Sequence, residues 1–425
     1  MIQLIFSFIW KHNHINWAIA DQIIVSGVNF LTGILVARFL GIEEFGRFTL
    51  IWMIVLFVNS IQMAMIISPM MSIAPKQAEK DLSYYFGAIA SQQFIFSIIF
   101  LTIIIVGMKL SIYFYPEWHI DELVVPVSMA AFFFQLQDFI RRVFFVQGRQ
   151  VAAFLNDALS YLGQLLLIIY FSFQNDFNIE IVLWVISITS ALAVIVGILL
   201  FGRVSWSYET FVAAARRHWK SARWLTGSAL LQWLSGNLFI LAAASILGAT
   251  AVGALKAAQN IMAIVHVFFQ ALENIVPIHA GRYLHEEGKA AMLRYLVKVS
   301  LWGGVATLMI SLFVSVLPEL LLTVIFGKDY QGYGYVLQLY AVIYLIAFFA
   351  LPLRIGLRAM EKTSPLFFAY ILMAIFSLIS AKPIVQEFGL YGVLAGILST
   401  GGILLMTLLI FMQRIYKNYP VNEYK

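Results

Sequence analysis

Apolar runs of about 20 residues recur along the whole chain, separated by short polar or Gly/Pro-containing breaks. About 20 such residues, helical at 1.5 Å each, cross a hydrocarbon core of roughly 30 Å, so each run reads as one membrane-spanning helix. Twelve spans are predicted, at 17–40, 47–71, 84–108, 123–146, 151–173, 179–202, 224–247, 252–278, 296–317, 335–357, 364–381 and 391–412. Met1–Trp10 is apolar but too short to span. It lacks a basic lead and a small-residue cleavage site, and it reads as an interfacial lead-in, not a signal peptide.

Two of the breaks are alike. Leu40-Gly41 with Gly46, and Leu247-Gly248 with Gly253, carry the same Leu-Gly-x₄-Gly turn, each between two apolar runs. The offset of 207 (248 minus 41) is close to half of 425, and Ala37, Phe45 and Phe48 fall opposite Ala244, Val252 and Leu255. The pattern predicts a duplicated membrane unit: a six-helix lobe over 1–202, a linker at 203–223, and a second six-helix lobe over 224–425 that includes a cytoplasmic tail. Six spans per half bring both halves into the membrane from the same face, a parallel repeat about an axis along the membrane normal. Repeats of this kind point to a transporter with a shared central site.

Composition sharpens this to an all-α polytopic membrane protein, with 62% hydrophobic and 11% charged residues. The absence of cysteine excludes disulfides, iron–sulfur clusters and thiolate catalysis. The formal charge of +6 is read as a topology signal and not as a nucleic-acid footprint. Loops on the side of the termini hold 21 Lys and Arg against six on the other side, which together account for all 27. Both termini are therefore expected in the cytoplasm. The linker carries Arg216-Arg217-His218-Trp219-Lys220, a basic and aromatic run expected to form an amphipathic helix on anionic lipid.

Polar residues within the spans are the candidate chemistry, because an ionisable group at mid-bilayer costs about 2.5–3.5 kcal/mol and so faces a cavity or a partner. In span eight Gln259, His266, Gln270 and Glu273 fall on one helical stripe, broadened by Asn260 and Asn274. Span four carries Gln135, Gln137, Asp138, Arg141 and Arg142, where Asp138 can pair with either arginine. Span one holds Gln22, Ser26, Asn29 and Gly33 in a stripe, with Asp21 at the cytoplasmic end and Arg38 at the outer end. Span five opens with Asn156-Asp157, and Gly392 with Gly396 in span twelve suggests close helix packing. Against these readings, Arg141, Arg142, Arg354 and Arg358 lie near the cytoplasmic boundary, where long side chains snorkel.

Enzyme signatures are missing. Gly281-x₆-Gly288-Lys289-Ala290 has the wrong spacing for a phosphate loop, and His279, His285 and Glu286 do not make a zinc motif. No Gly-x-Ser-x-Gly elbow occurs. The outer connections are short, the longest at about 318–334. A non-enzymatic role with no cofactor and no metal is therefore expected.

The segment Asn29-Phe30-Leu31-Thr32-Gly33-x₃-Ala37-Arg38-Phe39-Leu40-Gly41-x₃-Phe45-Gly46-x-Phe48 resembles the opening of Wzx-type lipid-linked oligosaccharide flippases. These are the polysaccharide-transport proteins of the multidrug/oligosaccharidyl-lipid/polysaccharide exporter (MOP) superfamily. Gly248-Ala249-x-Ala251-Val252-Gly253-x₂-Lys256-Ala257-Ala258-Gln259-Asn260 resembles them in the second half. The resemblance implies two six-helix lobes around a cavity that opens alternately to each face of a bacterial inner membrane. Its implied cargo is a glycan on a polyprenyl diphosphate, bound for surface polysaccharide such as the O-antigen of lipopolysaccharide, with glycan-polymerisation machinery as a partner. For the diphosphate the candidates are Arg38, Lys256, Arg141, Arg142, Arg354 and Arg358, and for the sugars Asn29, Gln259, Asn260, His266 and Gln270. Asp138, Asp157 and Glu273 are the candidates for H⁺ or Na⁺ coupling, and the membrane potential is a further source of drive. The alternatives are a cation-coupled multidrug exporter of the same superfamily, a membrane enzyme of glycan assembly such as a polymerase, and a scaffold without transport.

Overall fold

A computed structural model describes residues 13–114, 120–362 and 364–418, which are helical with short connections and no strand among them. Met1–Trp10 lies outside the described residues. The long helices are α1 (Asn13–Gln62), α3 (Glu79–Phe114), α4 (Val124–Val146), α5 (Gln150–Asp157) running through a π-helical turn into α6 (Gly163–Ser172), and α7 (Ile179–Phe201). They continue as α8 (Tyr208–Leu247), α9 (Ala249–Ile261), α10 (Ala263–Glu286), α11 (Lys289–Val316), α13 (Gly334–Ala359) and α14 (Ser364–Asn418). Of two short helices, α2 (Ser68–Ile73) continues α1 beyond a π-helical turn, and α12 (Pro318–Phe326) fills a connection. α1 bends at Gly41 and α14 at Gly389, so each supplies two spans and the total of twelve expected from the apolar runs is reached.

The chain divides into two compact units. The first comprises 1–40 and 51–229, and the second 41–50 and 230–425. In the first, α4 packs along α7 and α3. In the second, α13 is flanked by α11, α14 and α10.

The repeated glycine turns adopt the same backbone. Gly41 has φ 81° and ψ 174°, and Gly248 has φ 84° and ψ −179°, a region that only glycine enters without strain. Within the second unit the two repeats cross each other. A Cβ on Gly46 would lie 1.8 Å from the carbonyl oxygen of Ala249, and one on Gly253 would lie 2.0 Å from that of Ile42. These contacts are reciprocal, since 46 and 253, like 42 and 249, hold the same places in the two Leu-Gly-x₄-Gly segments. Bare backbone is what lets two helices approach this closely in a membrane, where association depends on packing and not on exclusion of water.

Two expectations change in detail. Span eight is not one straight helix. It is broken at Met262, whose ψ of −6° ends α9 and begins α10, and no Gly or Pro in the sequence marks the break. The segment after 207 is also not a separate surface helix, because α8 runs unbroken for 40 residues, about 60 Å. Its narrow buried seam, Ala214, His218 and Ala222, faces protein of the first unit. Tyr85 Oη lies 2.8 Å from His218 Nε2, and Gln92 Nε2 donates to the Phe211 carbonyl. Arg216, Arg217, Trp219 and Lys220 lie on the exposed side.

Gly396 accommodates the ring of Phe239, and Gly392 lies against the Ile384 carbonyl across the bend at Gly389. The Gly-x₃-Gly of span twelve thus serves close packing in two different directions.

Candidate functional site

The first unit holds a buried ionic cluster built from three segments of chain. Asp21 comes from the first arm of α1, Asp138, Arg141 and Arg142 from α4, and Asp157 from the end of α5. Exposure falls to 1% for Asp21, 0% for Asp157 and 7% for both Asp138 and Arg141. Arg141 is the hub: Nη2 donates to Asp21 Oδ2 at 2.7 Å, Nε lies 2.5 Å from Asp157 Oδ2, and Nη1 is 3.9 Å from Asp138 Oδ1. Arg142, one position on and half-buried, donates to Asp138 at 3.4 Å. The spacing of span four anticipates the Asp138 pairs, but the shorter contacts of Arg141 are with other helices.

The α5–α6 junction explains how Asp157 is presented. A π-helical turn over Ala158–Leu162 begins directly after it and rotates its side chain relative to the rest of the span. A matching π-helical turn over Met63–Ile67 follows Gln62 in α1. Such turns interrupt regular hydrogen bonding and gather at functional sites.

An amide network extends the cluster. Asn59 Nδ2 donates to Asp138 Oδ2 at 3.4 Å and to Gln62 Oε1 at 3.3 Å, and Gln62 Nε2 donates to Gln93 Oε1 and to the Gln135 carbonyl. Gln93 donates in turn to Ser97 Oγ. Gln137 Nε2 donates to Asp157 Oδ1 at 2.7 Å, and Asn156 Nδ2 donates to the Ala193 carbonyl at 2.6 Å. Asn59, Gln62 and Gln93 are functional candidates that the sequence does not single out. An isolated Asn or Gln in a span ordinarily reads as interhelical glue, and only proximity to Asp138 changes that.

The charges do not balance inside this cluster. Three carboxylates face two guanidinium groups, and Arg141 bridges Asp21 and Asp157. Asp21 Oδ1 and Gln137 Oε1, both buried, accept no hydrogen bond among the described residues. A buried cluster with a net charge of −1 suits exchange of one proton or one monovalent cation. No group of three or more His, Cys, Asp or Glu is arranged to hold a metal ion among the described residues.

In the second unit, Arg354 Nη2 on α13 donates to Glu273 Oε1 on α10 at 3.1 Å. Both helices carry an interior proline beside the pair, Pro277 four residues after Glu273 and Pro352 two before Arg354. Pro277 has no N–H for the Glu273 carbonyl, which leaves the backbone locally looser and more polar. Arg358, one turn beyond Arg354, is exposed, as is His266, and Gln270 is half-buried. Lys256 is half-buried on α9 and donates to Gln259 Oε1 at 3.0 Å, with Asn260 half-buried beside them. The break at Met262 therefore divides the expected stripe into Lys256-Gln259-Asn260 on α9 and His266-Gln270-Glu273 on α10. The side chain of Asn274 lies outside the described residues. Asn29 and Arg38 are exposed along the first arm of α1.

No protein-family model matches the chain, and no curated protein matches it in sequence. Solved structures do. The fold is similar to an inward-facing multidrug resistance MATE family transporter of the MOP superfamily, with TM-score 0.67 and 15% identity over 92% of this chain and 96% of that one. It is also similar to the lipid II flippase MurJ in an inward closed conformation, with TM-score 0.68 and 12% identity over 96% of this chain and 89% of that one. A mutant of the Vibrio cholerae MATE transporter VcmN matches with TM-score 0.64 and 16% identity over 96% and 97%. These neighbours are transporters and a flippase, not enzymes. The chain is a multi-pass membrane protein whose helical fold is similar to that of these MOP superfamily transporters.

Proposed function

We propose that the protein is an alternating-access transporter that moves a lipid-linked anionic glycan from the cytoplasmic to the outer leaflet. The observation that carries an anionic cargo is the charge of the second unit. Glu273 is neutralised by Arg354, and Arg358 on the same face of α13 adds an exposed positive charge one turn away. A site for an organic cation needs the opposite balance, with carboxylate left over. A polyprenyl diphosphate supplies about two negative charges, and moving them outward across 100 mV, negative inside, releases about 4–5 kcal/mol. The likeness to a lipid II flippase over nearly the full length supports a lipid-linked cargo, and the resemblance of the Leu-Gly-x₄-Gly segments to Wzx-type flippases supports surface polysaccharide as its destination. Association with a glycan polymerase on the outer face belongs to the same proposal.

The test is a strain lacking the gene. Polyprenyl-diphosphate-linked repeat units should accumulate on the cytoplasmic leaflet, and complementation by Arg354→Gln should restore surface glycan about tenfold less well than the parent, the equivalent of 1.4 kcal/mol. Normal surface glycan together with lost efflux of organic cations would replace this reading with the second one, a cation-coupled multidrug exporter.

That second reading is favoured by the surplus carboxylate of the first unit, which also suits the coupling step of a flippase. Asp157→Asn removes the surplus and leaves Arg141 two carboxylate partners. In proteoliposomes the variant should fold and insert normally, yet its transport should no longer respond to an imposed pH or Na⁺ gradient. An unchanged response would remove Asp157 from coupling.

A further inference from the structure

A groove of about 680 Å³ runs along the α10–α11 hairpin of the second unit, with neither Glu273 nor Arg354 in its lining. One end, near the connection at Glu287-Gly288, is lined by Tyr283, Glu287, Arg294, Tyr295 and Lys298, and the other by Phe268, Leu272, Val299, Trp302, Gly303 and Ala306. Arg294 and Lys298 are a helical turn apart on one face of α11, both exposed, and neither has an ion-pair partner among the described residues. Tyr283 and Tyr295 pack ring to ring at 5.1 Å beside them. At the apolar end Trp302 is 70% exposed, and Gly303 is so close to Phe348 that a side chain there would strike its ring.

The dimensions select the occupant. From Ala291 to Ala306, both in the lining, α11 rises about 22 Å, which equals one leaflet, half of a bilayer about 40–45 Å thick with its headgroups. Cations and phenols stand at the depth of a headgroup, and aromatic and small residues at the depth of acyl chains. Glu287 leaves the charged end with a net charge of +1, which suits a monoanionic headgroup. We infer that this groove is a binding site for a single anionic glycerophospholipid of the cytoplasmic leaflet, with its phosphate between Arg294 and Lys298 and one acyl chain along Trp302, Gly303 and Ala306. The leaflet follows from the asymmetry of basic residues between the loops. The site itself does not depend on the identity of the cargo.

Native mass spectrometry and thermal unfolding of the full-length protein in detergent test the inference. Dioleoylphosphatidylglycerol should give a one-to-one adduct and raise the melting temperature, with an affinity at least tenfold above that of dioleoylphosphatidylcholine. R294Q/K298Q should lose that preference while keeping the lipid-free melting temperature, and A306F should weaken binding of both lipids by obstructing the chain. Equal binding of the two lipids, or an R294Q/K298Q variant that retains the preference, would overturn the site. Inorganic phosphate matching the phosphatidylglycerol effect would make it a soluble-anion site, and undecaprenyl phosphate displacing phosphatidylglycerol at equimolar concentration would assign it to cargo. Either result overturns the inference without touching the charge pair of Arg354 and Glu273 on which the proposed function rests.

Discussion

Arg141→Leu is expected to cost about 3–5 kcal/mol of stability, because it leaves buried carboxylates without their shared cation. Asp21, Asp138 and Asp157 come from three helices, and Arg141 contacts all three. Arg142 is held to Asp138 and does not substitute for it. The loss should appear as a lower melting temperature of the purified protein and as poor accumulation in the membrane. A double variant, Arg141→Leu with Asp157→Asn, removes one of the stranded charges and should recover about 1–3 kcal/mol. Additive losses in the two variants would mean that the cluster does not act as a unit. Transport should be lost in Arg141→Leu even where folded protein remains, since three carboxylates lose the cation they share.

The second large effect is expected at the crossing of the repeats. Gly46→Val or Gly253→Val places a branched side chain where a carbonyl oxygen already lies within about 2 Å of the first added carbon, so the two backbones must part by more than 1 Å. Overpacking of this kind typically costs about 1–3 kcal/mol, and here the obstacle is main chain and not a side chain that can turn aside. Gly227→Ala is the control. Nothing stands within 4 Å of its would-be Cβ, and it lies inside α8, so alanine should be neutral or stabilising by up to about 1 kcal/mol. The Gly46→Val, Gly253→Val double variant should cost less than the sum of its parts, because helices already parted by the first substitution accommodate the second. Melting temperatures of the four proteins decide the matter. Equal effects at Gly227 and Gly46 would show that the close approach is not what the glycines provide.

Much of this architecture is legible in the sequence because the bilayer imposes it: an apolar run either reaches across or does not. Asp138, Arg141, Arg142 and Asp157 stand out for the same reason, as charges inside such runs. What joins them does not stand out. Asp21 reads as one end of the span-one stripe, and only the meeting of α1 with α4 brings its carboxylate to Arg141. Gln62 and Gln93 are single amides 31 positions apart, with no pattern to link them before their helices pack. The stripe of span eight fails as a single surface because a periodicity argument assumes a straight axis, and Met262 gives no warning that the axis turns. The Leu-Gly-x₄-Gly repeats are legible as turns, whereas the second glycine of each acts through a helix some 200 residues away.

The reciprocal crossing also bears on ancestry. A contact in which position 46 meets 249 while position 253 meets 42 is the contact that two identical subunits make across a two-fold axis, each offering the same patch to the other. A half-length forebear would have carried that patch before any duplication, and two copies of it could have met through the same glycine and the same carbonyl. On that account, fusion would have joined chains that already fitted, and the crossing at Gly46 and Gly253 would be older than the single chain that now holds it.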